Sequence, residues 1–229
     1  MTPASRTRAV VFDLDGTLLD SLSLVLRAIA HAIEPFAPRP TTEIFSHLGG
    51  PPERFIPVLV EDARHVPAAI ERLERYHLEY GHQIEPFQGA IPMLARLRDG
   101  GVRAAIWTGR DRASTEPLLA SHGFRGFFST VICGDDLPTH KPDPQGLRAI
   151  MARLDVGSAE TVFAGDADVD VFGGAACGVD TVLIRHARTL SDEVRARAGR
   201  IVESPQDAYR LVLERVDAGG LELPPEARA

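Results

Sequence analysis

The chain reads as an α/β protein: a Rossmann-like parallel sheet core with helices on both faces, plus an inserted α-helical cap domain. Three observations predict this. Short apolar runs, AVVFDL (9–14), VRAAIWT (102–108), STVIC (129–133), TVFAG (161–165) and TVLIR (181–185), have the length and composition of strands buried on both faces. Helical patterns alternate with the later runs, which implies βαβ crossovers and a parallel sheet. The interval 21–87 breaks that alternation with helical patterns alone.

Taking the elements in order, the first strand ends in FDLDGTLLDS (12–21), and the helical interval follows at once. Within it Leu22, Val25, Leu26, Ile29 and Ile33 share one helix face, as do Ile70, Leu73, Tyr76, His77 and Tyr80. Proline-bearing turns at 37–40, 49–52 and 85–87 separate them. A helix over 89–99 leads to the second strand. In QGLRAIMARL, residues Leu147, Ile150, Met151 and Leu154 recur at i, i+3, i+4 and i+7. The expected division is a core of 1–20 and 88–229 and a cap of 21–87, with hinges near Asp20–Leu22 and Glu85–Gly89. The tail 218–229 is expected to fray.

Composition narrows the function. At 229 residues and 44% hydrophobic content a substantial core can be buried, and a net charge of −7 argues against nucleic acid or an anionic membrane as partner. No apolar run approaches the ~18 residues of a membrane span, and the first residues lack the apolar stretch of a signal peptide. The two cysteines, Cys133 and Cys177, have no metal-type spacing. A reduced, cytoplasmic protein is the expectation.

The chemistry begins with Asp13 and Asp15. Strand alternation predicts both carboxylates on one side of an extended segment, with Gly16 turning the chain just after. Two close carboxylates need a cation between them, or one must hold a proton. One aspartate can attack phosphorus and its neighbour can serve as general acid and base. The plain alternative is a helix cap and a turn residue. At the end of the second strand, WTGRD offers the Thr108 hydroxyl and the Gly109 backbone to phosphate oxygens. THKPDP places Lys141 beside a backbone-fixing proline, where it can neutralise a carboxylate and a phosphate together. GDADVD supplies Asp166, Asp168 and Asp170 after another strand, and such oxygens suit Mg²⁺. Asp166 and Asp170 share a face if a helix starts there. Each signal alone has an ordinary structural explanation; their joint occurrence at strand ends does not.

In FDLDGTLLDS, WTGR (107–110), KPDP (141–144) and GDADVD (165–170), with a helical insert after the first, the chain resembles the haloacid dehalogenase-superfamily phosphohydrolases, nearest the phosphoglycolate phosphatase and β-phosphoglucomutase-like branch. The resemblance covers essentially the whole chain. It implies a Mg²⁺-dependent phosphomonoesterase working through an aspartyl-phosphate, with Asp13 as nucleophile and Asp15 as general acid and base. It implies that Thr108, Gly109 and Lys141 bind the phosphate. It also implies a magnesium site of Asp13, the Asp15 carbonyl and Asp166, with Asp170 as an outer ligand. Two departures stand out. Ala167 replaces the usual Ser or Thr and is followed by Asp168, which reads as a surface carboxylate. His140, where a small residue is frequent, reads as a partly exposed loop histidine.

Related chemistries separate on the same residues. A hydrolytic dehalogenase needs neither Asp15 nor Asp166. A phosphonatase of this fold needs a cap lysine, and residues 21–140 contain none. A phosphosugar mutase would use the same two aspartates and stays open. A non-catalytic phospho-acceptor domain would lack the helical insert. The expected substrate is a small phosphorylated metabolite, phosphoglycolate first. Among the cap cations Arg27, Arg39, Arg54, Arg64, Arg72 and Arg75, Arg54 in GGPPERF (49–55) is the candidate for a substrate carboxylate or second phosphate. The cap is expected to open and close. No oligomeric state is legible.

Overall fold

The computed structural model describes residues 6–39, 52–186 and 188–218. The expected turns at 37–40 and 49–52 lie partly outside these residues, and the tail beyond 218 lies wholly outside them.

A parallel six-stranded sheet forms the core. Its strands are β1 (Ala9–Phe12), β4 (Arg103–Trp107), β5 (Phe128–Ile132), β6 (Thr161–Gly165), β7 (Asp180–Ile184) and β8 (Arg200–Val202), in the spatial order β5-β4-β1-β6-β7-β8. The order reverses at β1, where Phe12 lies opposite Ile106 on one side and Ala164 on the other. Open parallel sheets leave a crevice at the carboxyl ends of their strands at such a reversal.

Every residue of β1 is fully buried, and its alternation feeds two cores. Val10 and Phe12 face the helices α4 (Ala90–Asp99) and α9 (Pro205–Ala218), packing with Leu94, Leu97 and Val212. Ala9 and Val11 face α6 (Gln145–Leu154), packing with Leu147, Ile150 and Phe163. Burial on both faces explains why these strands read as continuous apolar runs. The remaining core helices are α5 (Arg112–Ser121), α7 (Asp168–Cys177) and α8 (Asp192–Arg197).

Among the described residues of the insertion after the first strand are three α-helices, α1 (Leu22–Ile33), α2 (Pro52–Val60) and α3 (Val66–Tyr80). They share their own apolar cluster, in which Ile29 and Ile33 meet Phe55, Ile56, Leu59 and Leu73. At the base of this cap the two connecting segments pair as short antiparallel strands, β2 (Leu19–Asp20) and β3 (Glu85–Pro86).

The sequence expectations differ from the structure at strand ends and at the shortest strands. The first strand stops at Phe12 rather than 14, and β5 and β7 are each displaced by one residue from the predicted runs. The edge strand β8, and β2 and β3, were unanticipated; two or three residues are too few to display a period. Contrary to the expectation of no strand in 21–87, Glu85–Pro86 is one. Cys133 and Cys177 are unpaired. Among the described residues no helix is long and apolar enough to cross a membrane.

The cap connections are tied down from the far end of the chain. Tyr209 on α9, 4% exposed, donates its hydroxyl to the Thr17 carbonyl at 2.5 Å. The His186 Nε2 lies 2.6 Å from the Gly16 carbonyl, and its ring stacks on Phe87. Tyr209→Phe strands the buried Thr17 carbonyl, so the variant should lose about 1–3 kcal/mol of stability. A lower urea midpoint at unchanged slope would show this, and an unchanged midpoint would refute it.

Candidate active site

Four strands deliver polar and charged side chains to the carboxyl edge. Asp13 follows β1 directly, and its N–H donates to the Ala164 carbonyl of β6 at 2.8 Å. Asp166 follows β6. Thr108 follows β4, and Lys141 comes from the loop between β5 and α6, where the Lys141–Pro142 peptide is cis.

Lys141 organises these groups. Its Nζ donates to Asp13 Oδ1 at 2.6 Å and to Asp170 Oδ1 at 2.7 Å. The ammonium is 4% exposed and lies over the rings of Trp107 and Phe163, at 5.2 and 5.4 Å. It is the only lysine in the chain. Burial works against its charge, yet Asp13 and Asp170 outweigh burial and hold its pKa above the ordinary lysine value. Ligand oxygens of Asp13, Asp166 and Asp170 lie within 4.8 Å of one another. Burial pushes the Asp13 carboxyl up to about 7, with Lys141 opposing and Asp170 adding to the rise. Asp166 is pushed well above the usual range by burial, then by Asp13 and Asp170.

Backbone geometry brings Asp166 in. Gly16 has φ +75°, and a Cβ there would stand 2.3 Å from Asp166 Oδ2. Only glycine accepts both that conformation and that approach. Gly165 plays the same part for Asp170, whose Oδ2 would meet a Cβ at 2.4 Å. Asp170 is held further by the Ala167 N–H at 3.0 Å, one half of a capping arrangement at the start of α7, since Ala167 has no side-chain acceptor to return the bond.

The expected pairing of Asp13 with Asp15 on one side of a strand is corrected. Because β1 ends at Phe12, Asp15 sits in the following turn. The two carboxylates find separate cations: Asp13 takes Lys141, while Asp15 takes Arg110. The Arg110 guanidinium grips both Asp15 oxygens, Nε to Oδ2 at 2.9 Å and Nη2 to Oδ1 at 2.6 Å. Burial would raise the Asp15 carboxyl, but Arg110 outweighs it and holds it below the usual range. The idea of Asp166 and Asp170 on a shared helix face is corrected too. Helix α7 starts at Asp168, so Asp166 arrives from the preceding loop.

The other anticipated residues fall as follows. Thr108 is buried, and its Oγ1 accepts from the Arg110 N–H at 3.1 Å. Gly109 lies against Gly134, where a Cβ would stand 2.2 Å from the Gly109 carbonyl. Arg54 on α2 reaches from the cap to the Lys141 carbonyl, Nη1 to O at 3.0 Å. Asp168 is half exposed, with Arg188 Nη1 at 3.4 Å. His140 is part-buried, with no hydrogen-bond partner at Nδ1 among the described residues.

Sequence reasoning missed three contributors. Arg110 was quoted within WTGR yet given no role. Arg188 donates to the Asp166 carbonyl, fixing the acidic loop. His77, read as part of an apolar helix face, lies close enough to Arg110 and Asp15 to sense their charges. Only Arg110 carried a usable signal, two residues beyond Thr108.

The site's chemistry fits a hard divalent cation. With Asp13, Asp166 and Asp170 ionised against one ammonium, two negative charges remain uncompensated in a buried space. Their oxygens are the donors Mg²⁺ prefers.

A family model of haloacid dehalogenase-like hydrolases matches residues 10–184. A plasmid-encoded phosphoglycolate phosphatase of Cupriavidus necator is 34% identical over 188 residues, covering 78% of this chain and 80% of that protein. The pyrophosphatase PpaX of Halalkalibacterium halodurans is 28% identical over 199 residues, covering 81% of this chain and 87% of that one. The fold matches the crystal structure of a hydrolase from Pseudomonas syringae with a TM-score of 0.77 at 23% identity, over 91% of this chain and 99% of that one.

His77 carries a pH signature. Burial pushes its imidazole down to about 4, with Arg110 adding to the fall against Asp15 and Asp111. An unfolded histidine titrates near ~6.5, so on acidification the unfolded chain takes up this proton first. The contribution to stability is intact above pH ~6.5 and is lost between there and about 4. The melting temperature of wild type minus that of His77→Gln should be flat above neutrality and fall across that window. A pH-independent difference would refute a buried neutral imidazole.

Proposed function

Because this chain belongs to the haloacid dehalogenase-like hydrolases, we propose that it is a Mg²⁺-dependent phosphomonoester hydrolase of small phosphorylated metabolites, with phosphoglycolate as first candidate. The observation that carries the reading is the buried Asp13–Lys141–Asp170 cluster with Asp166 beside it.

Asp13 attacks phosphorus and carries the phosphoryl group as an acyl phosphate until water releases it. Lys141 has three donors, of which Asp13 and Asp170 use two, leaving one for a phosphoryl oxygen. The Thr108 oxygen already accepts from the Arg110 N–H, so its own proton is directed outward to the phosphate. The Gly109 backbone adds to this cradle. Asp15 protonates the leaving alcohol and then deprotonates water. Mg²⁺ would be held by Asp13, the Asp15 carbonyl and Asp166; both Asp170 oxygens are engaged by Lys141 and Ala167, which suits an outer place. The chemistry supplied by the bound ion is neutralisation of charge on the carboxylates and the phosphoryl oxygens.

The segment 21–87 acts as the cap over a core of 1–20 and 88–229, hinged where β2 and β3 pair. Arg54, already reaching the Lys141 carbonyl from the cap, is placed to meet a second anionic group on the substrate. A carboxylate two atoms from the phosphate, as in phosphoglycolate, or a second phosphate, as in pyrophosphate, would satisfy it.

The test is phosphate release from phosphoglycolate, pyrophosphate and hexose phosphates, with Mg²⁺ and with EDTA. Release should concentrate on one compound, stop with EDTA and return with excess Mg²⁺. Asp13→Asn should reduce turnover to background with the fold intact, and Asp15→Asn should cost about 10²–10⁴-fold in kcat. Full activity of Asp13→Asn would exclude it as nucleophile. Arg54→Ala should raise KM for the bifunctional substrate more than for a simple alkyl phosphate.

A further inference from the structure

Among the described residues Arg110 is the one buried cation at this site that neither Asp13 nor Asp170 holds. Its side chain is 7% exposed, and its hydrogen bonds run to the two oxygens of Asp15. In this arrangement Asp15 is poorly placed for the work assigned to it. An acid or base must turn an oxygen toward the leaving group or water, and here the Arg110 fork takes a lone pair of each oxygen and fixes the orientation of the carboxylate.

The pair must therefore open during turnover. Asp15, 29% exposed, can rotate into the cleft, but Arg110 has nowhere to hydrate. A buried guanidinium left without a partner is strongly unfavourable, so an anion must take the place of Asp15. The planar fork that fits a carboxylate fits a phosphoryl group equally well. Arg110 stands at the carboxyl end of β4, two residues after Thr108, and Asp13 is close enough to add to its charge stabilisation. The incoming phosphoryl group thus arrives within range of it.

We propose that Arg110 exchanges partners: it clamps Asp15 in the free protein and transfers to an oxygen of the bound phosphoryl group, releasing Asp15 for proton transfer. Arg110 is then both an anion-binding residue and the device that ties release of Asp15 to the arrival of substrate. This deepens the phosphatase reading and rests on it for the role of Asp15. The exchange itself concerns binding, so it is measured without turnover.

The probe is inorganic phosphate in the presence of Mg²⁺, titrated by the fluorescence of Trp107, the only tryptophan, whose ring lies 5.2 Å from Lys141 Nζ. Arg110→Met should weaken phosphate binding by about 10–100-fold. Asp15→Asn should tighten it, because Arg110 no longer has to leave a carboxylate. Removing a negative charge near an anion would tighten binding in any case, so the double variant decides. Exchange requires that, in the Arg110→Met background, Asp15→Asn tighten binding clearly less than it does in the wild type, the remainder being the loss of one negative charge. Persistence of the full tightening there would overturn the proposal, as would wild-type affinity in Arg110→Met or no phosphate binding by the wild type.

Thermal melting checks that each variant folds. Arg110→Lys, which keeps the charge but not the fork, should give an intermediate affinity, and an affinity equal to wild type would count against partner exchange. A wild type that hydrolyses no ester but shows the predicted cycle leaves the exchange standing while the hydrolase reading falls. Hydrolysis with independent, additive effects at the two residues does the reverse.

Discussion

The site depends on one buried ammonium facing three carboxylates. Lys141 satisfies Asp13 and Asp170, but Asp166 converges on the same few ångströms, and the surrounding aromatic rings supply no water to dissipate the excess. An arrangement so short of positive charge is unstable by itself; burial chiefly, with the neighbouring carboxylates adding, raises the carboxyl groups of Asp13 and Asp166. The deficit is also what makes it useful. A divalent cation would offset the two uncompensated negative charges and let the site accept a phosphoryl group that it would otherwise repel.

The rest of the fold is arranged to hold that cluster. Glycines at 16 and 165 remove the side chains that would otherwise keep Asp166 and Asp170 apart from the neighbouring backbone. Arg188 fixes the carbonyl of Asp166, while His186 and Tyr209 fix those of Gly16 and Thr17. The latter two belong to the final third of the chain, yet they grip the turn following the first strand. Phe87, on the second cap connection, donates its N–H to the Leu18 carbonyl and stacks on His186. The base of the helical insertion and the turn beside Asp13 are thus tied together by hydrogen bonds and stacking.

Much of this was legible before any coordinates. The central strands were readable because burial on both faces leaves little choice beyond β-branched and small apolar residues, as in AVVF and TVFAG. Asp13, Thr108 and Asp166 were readable because each stands just after such a strand, and Lys141 because a backbone-fixing proline follows it. The short strands β2, β3 and β8 were not, since their existence depends on a partner rather than on a pattern. His77 was misleading for a related reason: its spacing on α3 matches an apolar face, and only the packing of cap on core reveals charged groups opposite.

By itself, then, the sequence determined the alternation of the central strands with helices, the presence of an inserted helical module and the identity of the converging acids and lysine. Local periodicity and the residues flanking strands are written directly in the chain. Tertiary structure alone decided the pairing of charges. Two residues apart in sequence, Asp13 and Asp15 were expected to need a cation between them or a proton on one of them; instead each has its own cation, because Lys141 and Arg110 reach them from separate loops, 128 and 95 residues away. Coulomb interactions and hydrogen bonds act over a few ångströms of space whatever the separation along the chain, so partners of this kind become known only when the sheet brings their loops together.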